Sequence, residues 1–89
     1  MRVHVRIQGR VQGVGYRYAT RHEAERHGIT GWVRNCLDGA VEAEFAGERG
    51  RLESMVTWCE HGPALARVTD VDVDWLDDEA DYPSFTVRT

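Results

Sequence analysis

The chain has 89 residues, of which 42% are hydrophobic and 29% are charged, and its formal net charge at pH 7 is −4. This length predicts one domain over residues 1–89, and the composition excludes a disordered chain. No apolar run approaches the roughly 20 residues that cross a bilayer, and the first residues alternate polar and apolar side chains, unlike a signal peptide. We therefore expect a cytoplasmic protein that does not associate with membranes.

The charge is distributed unevenly along the chain. Residues 1–34 contain seven arginines and two glutamates, a net charge of +5, whereas residues 35–89 contain four arginines and thirteen acidic residues, a net charge of −9. A basic first third suits a small anionic ligand, and the acidic remainder argues against extended nucleic acid as a partner. The chain has no lysine, which excludes Schiff-base chemistry.

The first predicted strand is defined by Val3, Val5 and Ile7, which alternate with polar residues. A glycine-rich connection follows, and a weak apolar face predicts a helix from about Tyr16 to His27. Gly28 is well placed to end that helix.

A β-hairpin is predicted next. The second strand covers residues 31–37, and Asp38-Gly39 is a typical hairpin turn. In the third strand, Val41, Ala43 and Phe45 are expected to face the core, with Glu42 and Glu44 in solvent. The two cysteines, Cys36 and Cys59, have no metal-ligand spacing and are expected to be buried free thiols.

The second helix has the clearest apolar stripe in the chain, because Leu52, Met55, Val56 and Cys59 fall at i, i+3, i+4 and i+7. Gly62-Pro63 ends it. A fourth strand follows, in which valines and a tryptophan alternate with aspartates over residues 70–75. A short last strand contains Phe85 and Val87.

The order β-α-β-β-α-β with a short C-terminal strand predicts an α+β fold, the ferredoxin-like split βαβ sandwich. Its sheet is expected to be antiparallel, with both helices on one face. This fold hosts unrelated functions, RNA binding among them. An RNA-binding sheet displays aromatic side chains in basic surroundings, whereas the third strand here carries Glu42 and Glu44.

The decapeptide QGRVQGVGYR, residues 8–17, is the most informative stretch. Glycine permits a positive φ, so successive N–H groups can form a concave anion site. A helix N-terminus adds unpaired donors, and the guanidinium of Arg17 can bind two phosphate oxygens. The residues therefore indicate a phosphate site, with a structural turn as the alternative.

Three better-known sites do not fit. A dinucleotide-binding loop needs a third glycine where Tyr18 stands, a Walker loop needs a lysine, and no cysteine precedes Arg17 to form a phosphocysteine. The aspartates of residues 70–74 resemble the start of a calcium loop, but the sixth position is Trp75 and the intervening valines predict a strand. The four histidines have no metal-ligand spacing, so no metal site is predicted.

The sequence GRVQGVGYR (residues 9–17), followed by GWVRN (residues 31–35), resembles the acylphosphatase family. Gly62-Pro63 followed by Ala66 and Val68 fits as well, and the resemblance covers essentially the whole chain. Two departures are mild: Tyr16 stands where phenylalanine is common, and Cys36-Leu37 follow the asparagine.

The resemblance implies a small stand-alone acylphosphatase that hydrolyses acyl phosphates to a carboxylate and inorganic phosphate. It implies that Arg17 binds the substrate phosphate together with loop amides and that Asn35 positions the attacking water. The amides expected to line the site are those of Gln12, Gly13, Val14, Gly15, Tyr16 and Arg17.

No metal or cofactor is expected. The expected ligands are a small acyl phosphate and inorganic phosphate, as product and inhibitor, and the expected state is a monomer. A rival hypothesis is a non-catalytic phosphate-binding module, but binding alone would not need a water-positioning Asn35.

Overall fold

The structure is a computed structural model that describes residues 1–79 and 81–89. Its strands are β1 (Arg2–Arg10), β2 (Thr30–Asn35), β3 (Val41–Ala46), β4 (Arg67–Leu76) and β5 (Phe85–Val87), and its helices are α1 (Tyr16–Arg26) and α2 (Arg49–Cys59). Among the described residues, neither helix is long and apolar enough to cross a membrane.

The strands form one sheet in the order β4-β1-β3-β2-β5. The first four pair antiparallel, and β5 joins the edge parallel to β2, with Gly31 opposite Phe85. This arrangement confirms the predicted ferredoxin-like α+β fold. The expectation that the whole sheet is antiparallel is corrected at β5, which joins the edge at β2 and runs in the same direction as that strand.

The core lies between one face of the sheet and the two helices. Val3, Val5 and Ile7 of β1 are fully buried on that face, as predicted. Helix α1 packs against β2 and β5, α2 packs against β1, and the helices contact each other. Leu52, Met55 and Cys59 of α2 are also fully buried, so its apolar stripe is confirmed.

The glycine at the start of β2 is required by the sheet. Gly31 has φ +140°, and a Cβ there would lie 1.9 Å from the carbonyl oxygen of Glu44 on β3. No side chain fits at that distance, because real Cβ contacts lie beyond about 3 Å. Close pairing of β2 with β3 therefore depends on Gly31.

Two expectations about burial are corrected by the fold. Glu44 is only 7% exposed instead of lying in solvent, because β3 is the middle strand and His4 and Trp32 flank this carboxylate in the register. It pairs with Arg2 at 2.6 Å, which compensates its burial. Cys36 is half-buried, unlike the fully buried Cys59.

The other differences concern element ends. The second strand ends at Asn35 instead of Leu37, because residues 36–40 form a hairpin turn in which Cys36 N donates to Ala40 O at 2.8 Å. Gly9 belongs to β1. The connection between β1 and α1 is thus residues 11–15, which we call the glycine loop.

Candidate active site

The glycine loop adopts a backbone that favours glycine. Gly13 and Gly15 have φ values of +76° and +80°, in the left-handed region. A Cβ at either position would meet nothing within 4 Å, so conformation, not crowding, explains these two glycines.

The backbone amides of residues 13–17, in the loop and at the start of α1, have no protein acceptor among the described residues. Gly15 is the N-cap of α1, and as a glycine it has no side chain that could cap the helix. The first regular helical bond runs from Ala19 N to Gly15 O at 3.0 Å, and within residues 1–79 and 81–89 no backbone carbonyl accepts from the amides of residues 13–17. Free amides at a helix N-terminus are suited to binding an anion.

A cavity of about 120 Å³ opens beside the loop, and the two residues predicted to be functional both line it. Arg17 and Asn35 are eighteen positions apart in sequence, and both line this cavity. The full lining comprises Val11, Gly13, Gly15, Tyr16, Arg17, Tyr18 and Asn35.

Asn35 is the last residue of β2 and pairs with Val41 of β3. Its side-chain oxygen Oδ1 is buried, and no described group donates a hydrogen bond to it. A buried acceptor without a donor is rare and costs free energy, so this oxygen is a candidate to accept a hydrogen bond from a group outside the described chain.

Arg17 is the second residue of α1, and its guanidinium is held by the C-terminal end of the chain. Its Nη1 donates to the carbonyl oxygen of Arg88 at 2.8 Å. Arg88 directly follows β5 and is anchored there, because its amide donates to Val33 O at 2.8 Å. A guanidinium has five N–H donors, so this bond orients Arg17 while the remaining donors can bind an anion.

Tyr16, the first residue of α1, anchors the loop to the rest of the fold. Its ring is 1% exposed and lies 5.6 Å from that of Trp58, and its hydroxyl donates to Cys59 O at 2.7 Å. Burial raises the pKa of Tyr16 above its usual range, with the Cys59 contact adding to the shift. The hydroxyl is therefore a structural donor.

The other predicted loop residues divide into two groups. Gly13 and Gly15 line the cavity, as do Tyr16 and Arg17, whereas Gln12 and Val14 are not part of its lining. Val14 packs against the core, and the Gln12 side chain donates to the hairpin turn at residues 36–40.

Two contributors were missed by the sequence analysis. Tyr18 lines the cavity and is 61% exposed, and the carbonyl of Arg88 orients Arg17. A backbone carbonyl carries no residue-type signal, so no sequence pattern could have indicated the second.

Among the described residues, no group of three or more histidine, cysteine, aspartate or glutamate side chains could hold a metal ion. The aspartates of residues 70–74 lie within β4, as the valine alternation predicted, and they are exposed.

Comparison with known proteins identifies the family. The family model named Acylphosphatase matches residues 3–87. The acylphosphatase of Anaeromyxobacter sp. (strain Fw109-5) is 51% identical over 87 residues, which cover 98% of this chain and 94% of that protein. The acylphosphatase of Thermococcus kodakarensis is 51% identical over 79 residues, covering 89% and 87%.

Solved structures agree with this result. The crystal structure of acylphosphatase from Bacillus subtilis superposes with a TM-score of 0.95 at 33% identity, covering 99% of this chain and 98% of that one. An acylphosphatase from Coxiella burnetii gives a TM-score of 0.93 at 38% identity, covering 98% and 90%. The chain belongs to the acylphosphatase family, whose members are enzymes that hydrolyse acyl phosphates.

Proposed function

We propose that this protein hydrolyses acyl phosphates with Arg17 and the amides of residues 12–17 holding the phosphoryl group, and with Asn35 positioning the attacking water. The observation that carries the proposal is that Asn35, whose buried Oδ1 has no donor among the described residues, lines the same cavity as Arg17 and the loop glycines. A water donating to that oxygen would stand beside an anion bound by the loop.

The leaving group explains why the site needs no general acid. An acyl phosphate releases a carboxylate whose conjugate acid has a pKa of about 4, so the P–O bond breaks without protonation of the departing oxygen. The remaining work is to hold the phosphoryl group and neutralise its oxygens. Arg17 supplies a full charge, and the unbonded loop amides supply fixed dipoles.

Asn35 has a limited role in this reaction. Its side-chain oxygen accepts a hydrogen bond from water and so aims one lone pair of the water at phosphorus, but an amide does not take up a proton. The water oxygen bonds to phosphorus as the bond to the acyl oxygen breaks. The water proton passes to a phosphate oxygen of the substrate, and the products are carboxylate and inorganic phosphate.

The proposal requires no metal and no cofactor, since each step uses only the side chains and amides named above. Turnover is therefore expected to be unchanged in excess EDTA. We also propose that the protein is a cytoplasmic monomer whose ligands are acyl phosphate and phosphate, with no nucleic acid or membrane partner. Sedimentation at micromolar concentration tests the monomer.

The central experiment measures hydrolysis of a synthetic aryl acyl phosphate by the purified chain. Arg17→Ala and Asn35→Ala should each lower kcat by at least about 100-fold, the effect of removing one group that stabilises or orients a transition state. Arg21→Ala is the matched control, because Arg21 is exposed on the same helix and does not line the cavity. It should keep its kcat within about twofold.

Inhibition by inorganic phosphate separates the two roles. Arg17→Ala should lose most of this inhibition because it removes a phosphate ligand, whereas Asn35→Ala should keep it. Full turnover in either variant contradicts the role of that residue. Loss of phosphate inhibition in Asn35→Ala contradicts the water-positioning role, and phosphate binding without any turnover by the parent would favour the non-catalytic module.

A further inference from the structure

We propose that the side chain of Gln12 is a positioning residue that fixes Asn35 relative to the glycine loop. This inference rests on the proposed role of Asn35. It concerns the side chain alone, because the backbone amide of Gln12 is already counted among the phosphate-binding amides.

The Gln12 side chain connects the glycine loop to the hairpin turn through both of its N–H groups. Its Nε2 donates to Cys36 O at 2.7 Å and to Ala40 O at 2.9 Å, and both bonds are partly buried. A primary amide has two N–H donors, so this nitrogen is fully used. Cys36 and Ala40 are the first and last residues of the hairpin turn, residues 36–40.

The hairpin turn is closed by its own contacts. Cys36 N donates to Ala40 O at 2.8 Å, Gly39 N donates to Cys36 O at 3.2 Å, and Ala40 N donates to the Asp38 carboxylate at 3.1 Å. The Asp38 carboxylate also pairs with Arg6 of β1. Both carbonyls that Gln12 reaches therefore have other donors, and what Gln12 adds is a link between this turn and the glycine loop.

This link lies between the two parts of the proposed site, the glycine loop and Asn35. Gln12 stands in the loop next to Gly13, and Cys36 directly follows Asn35. Since no described group donates to Asn35 Oδ1, no hydrogen bond to this oxygen fixes it, and its position follows the backbone at the end of β2. A shift of the turn against the loop moves this oxygen relative to a bound phosphoryl group.

In-line attack is sensitive to such a shift, because a misplacement of about 1 Å can cost about 100-fold in rate. Phosphate binding is expected to be less sensitive, since Arg17 is held from Arg88 and the Tyr16 side chain anchors the end of the loop at α1. Loss of the Gln12 bonds should thus lower kcat and leave ground-state binding nearly unchanged.

The test compares three variants in the aryl acyl phosphate assay. Gln12→Met keeps the length of the side chain without a donor, and it should lower kcat roughly 10- to 100-fold while KM and the phosphate inhibition constant change less than about threefold. Gln12→Glu keeps the shape, but its carboxylate cannot donate to either carbonyl at pH 7, so it should lose at least as much kcat. Gln8→Met is the control, because Gln8 is exposed on β1.

Two results would overturn the inference. One is a kcat within twofold of the parent for Gln12→Met and Gln12→Glu. The other is an unchanged kcat with a raised KM and phosphate inhibition constant, which assigns the side chain to the loop alone. Urea unfolding checks that each variant is folded, and Gln12→Asn, whose side chain is one methylene too short to make both bonds, replaces Gln12→Met if that variant does not fold. Full turnover in Asn35→Ala would instead refute the proposed role of Asn35.

Discussion

The hydroxyl of Tyr16 offers a sharp test of how the loop is anchored. Helix α2 ends at Cys59, and the residue four positions later is Pro63, which has no N–H to donate back to the Cys59 carbonyl. The Tyr16 hydroxyl at 2.7 Å takes the place of that donor, in a buried setting. The change Tyr16→Phe removes it and leaves the ring in place.

The expected cost follows from the burial of both partners. A buried carbonyl left without a donor costs about 1–3 kcal/mol, and the variant no longer has to bury a hydroxyl, so we expect a net loss of about 2 kcal/mol. For a domain of this size, 1 kcal/mol corresponds to roughly 4–8 °C in Tm, so Tm should fall by roughly 8–16 °C. The values of kcat and KM should not change below the melting range, because only the backbone of Tyr16 is proposed to bind phosphate.

Calorimetry and urea unfolding measure the stability, and Tyr18→Phe serves as the matched control. Tyr18 is 61% exposed, and an exposed substitution of this kind should cost less than about 0.5 kcal/mol. A Tyr16→Phe variant as stable as the parent would refute the reasoning about the Cys59 carbonyl. A folded Tyr16→Phe variant without activity would show that the hydroxyl serves the reaction.

Two further predictions concern stability. Gly31→Ala should lower the free energy of unfolding by at least about 4 kcal/mol or abolish folding, because the new Cβ would lie 1.9 Å from the carbonyl oxygen of Glu44. Gly39→Ala, at φ +97° with no atom within 4 Å of the new Cβ, should cost only backbone strain of about 1–2 kcal/mol. Equal losses of stability in urea unfolding would contradict this prediction. The Arg26 guanidinium lowers the pKa of Glu23, so the stability from this pair is present above the unfolded pKa of about 4.3 and is lost as the pH falls through the lower folded value. Urea unfolding between pH 7 and pH 3 should therefore show a shallower acid loss in Glu23→Gln, and an identical slope would contradict the assignment.

The regular elements could be read from local pattern. Alternation placed Val3, Val5 and Ile7 on the buried face of β1, and the i, i+3, i+4, i+7 spacing identified α2. The same alternation failed for Glu44, which was assigned to solvent. Alternation predicts on which face of the sheet a side chain lies. Whether that face is exposed at β3, the middle strand, depends on the residues opposite it on β1 and β2, here His4 and Trp32.

The two sides of the proposed reaction site were also indicated before the structure, one by residue types and the other by the family resemblance. The glycine pattern and Arg17 predicted an anion site, and the family resemblance pointed to Asn35. Neither the carbonyl of Arg88 beside Arg17 nor the bonds from Gln12 to the hairpin turn had such a signal. These contacts involve backbone carbonyls, which every residue type carries.

The sequence by itself determined the local conformations: where strands alternate, where α2 has its apolar stripe, and where glycine permits the backbone of the loop at Gly13 and Gly15. Only the tertiary structure decided that β5 pairs parallel to β2 and that Arg17 meets a carbonyl 71 positions away. It also decided that the side-chain oxygen of Asn35 is buried with no donor among the described residues. The physical reason is range: backbone preferences act over a few neighbouring residues, whereas these contacts exist only once the sheet has brought distant segments together.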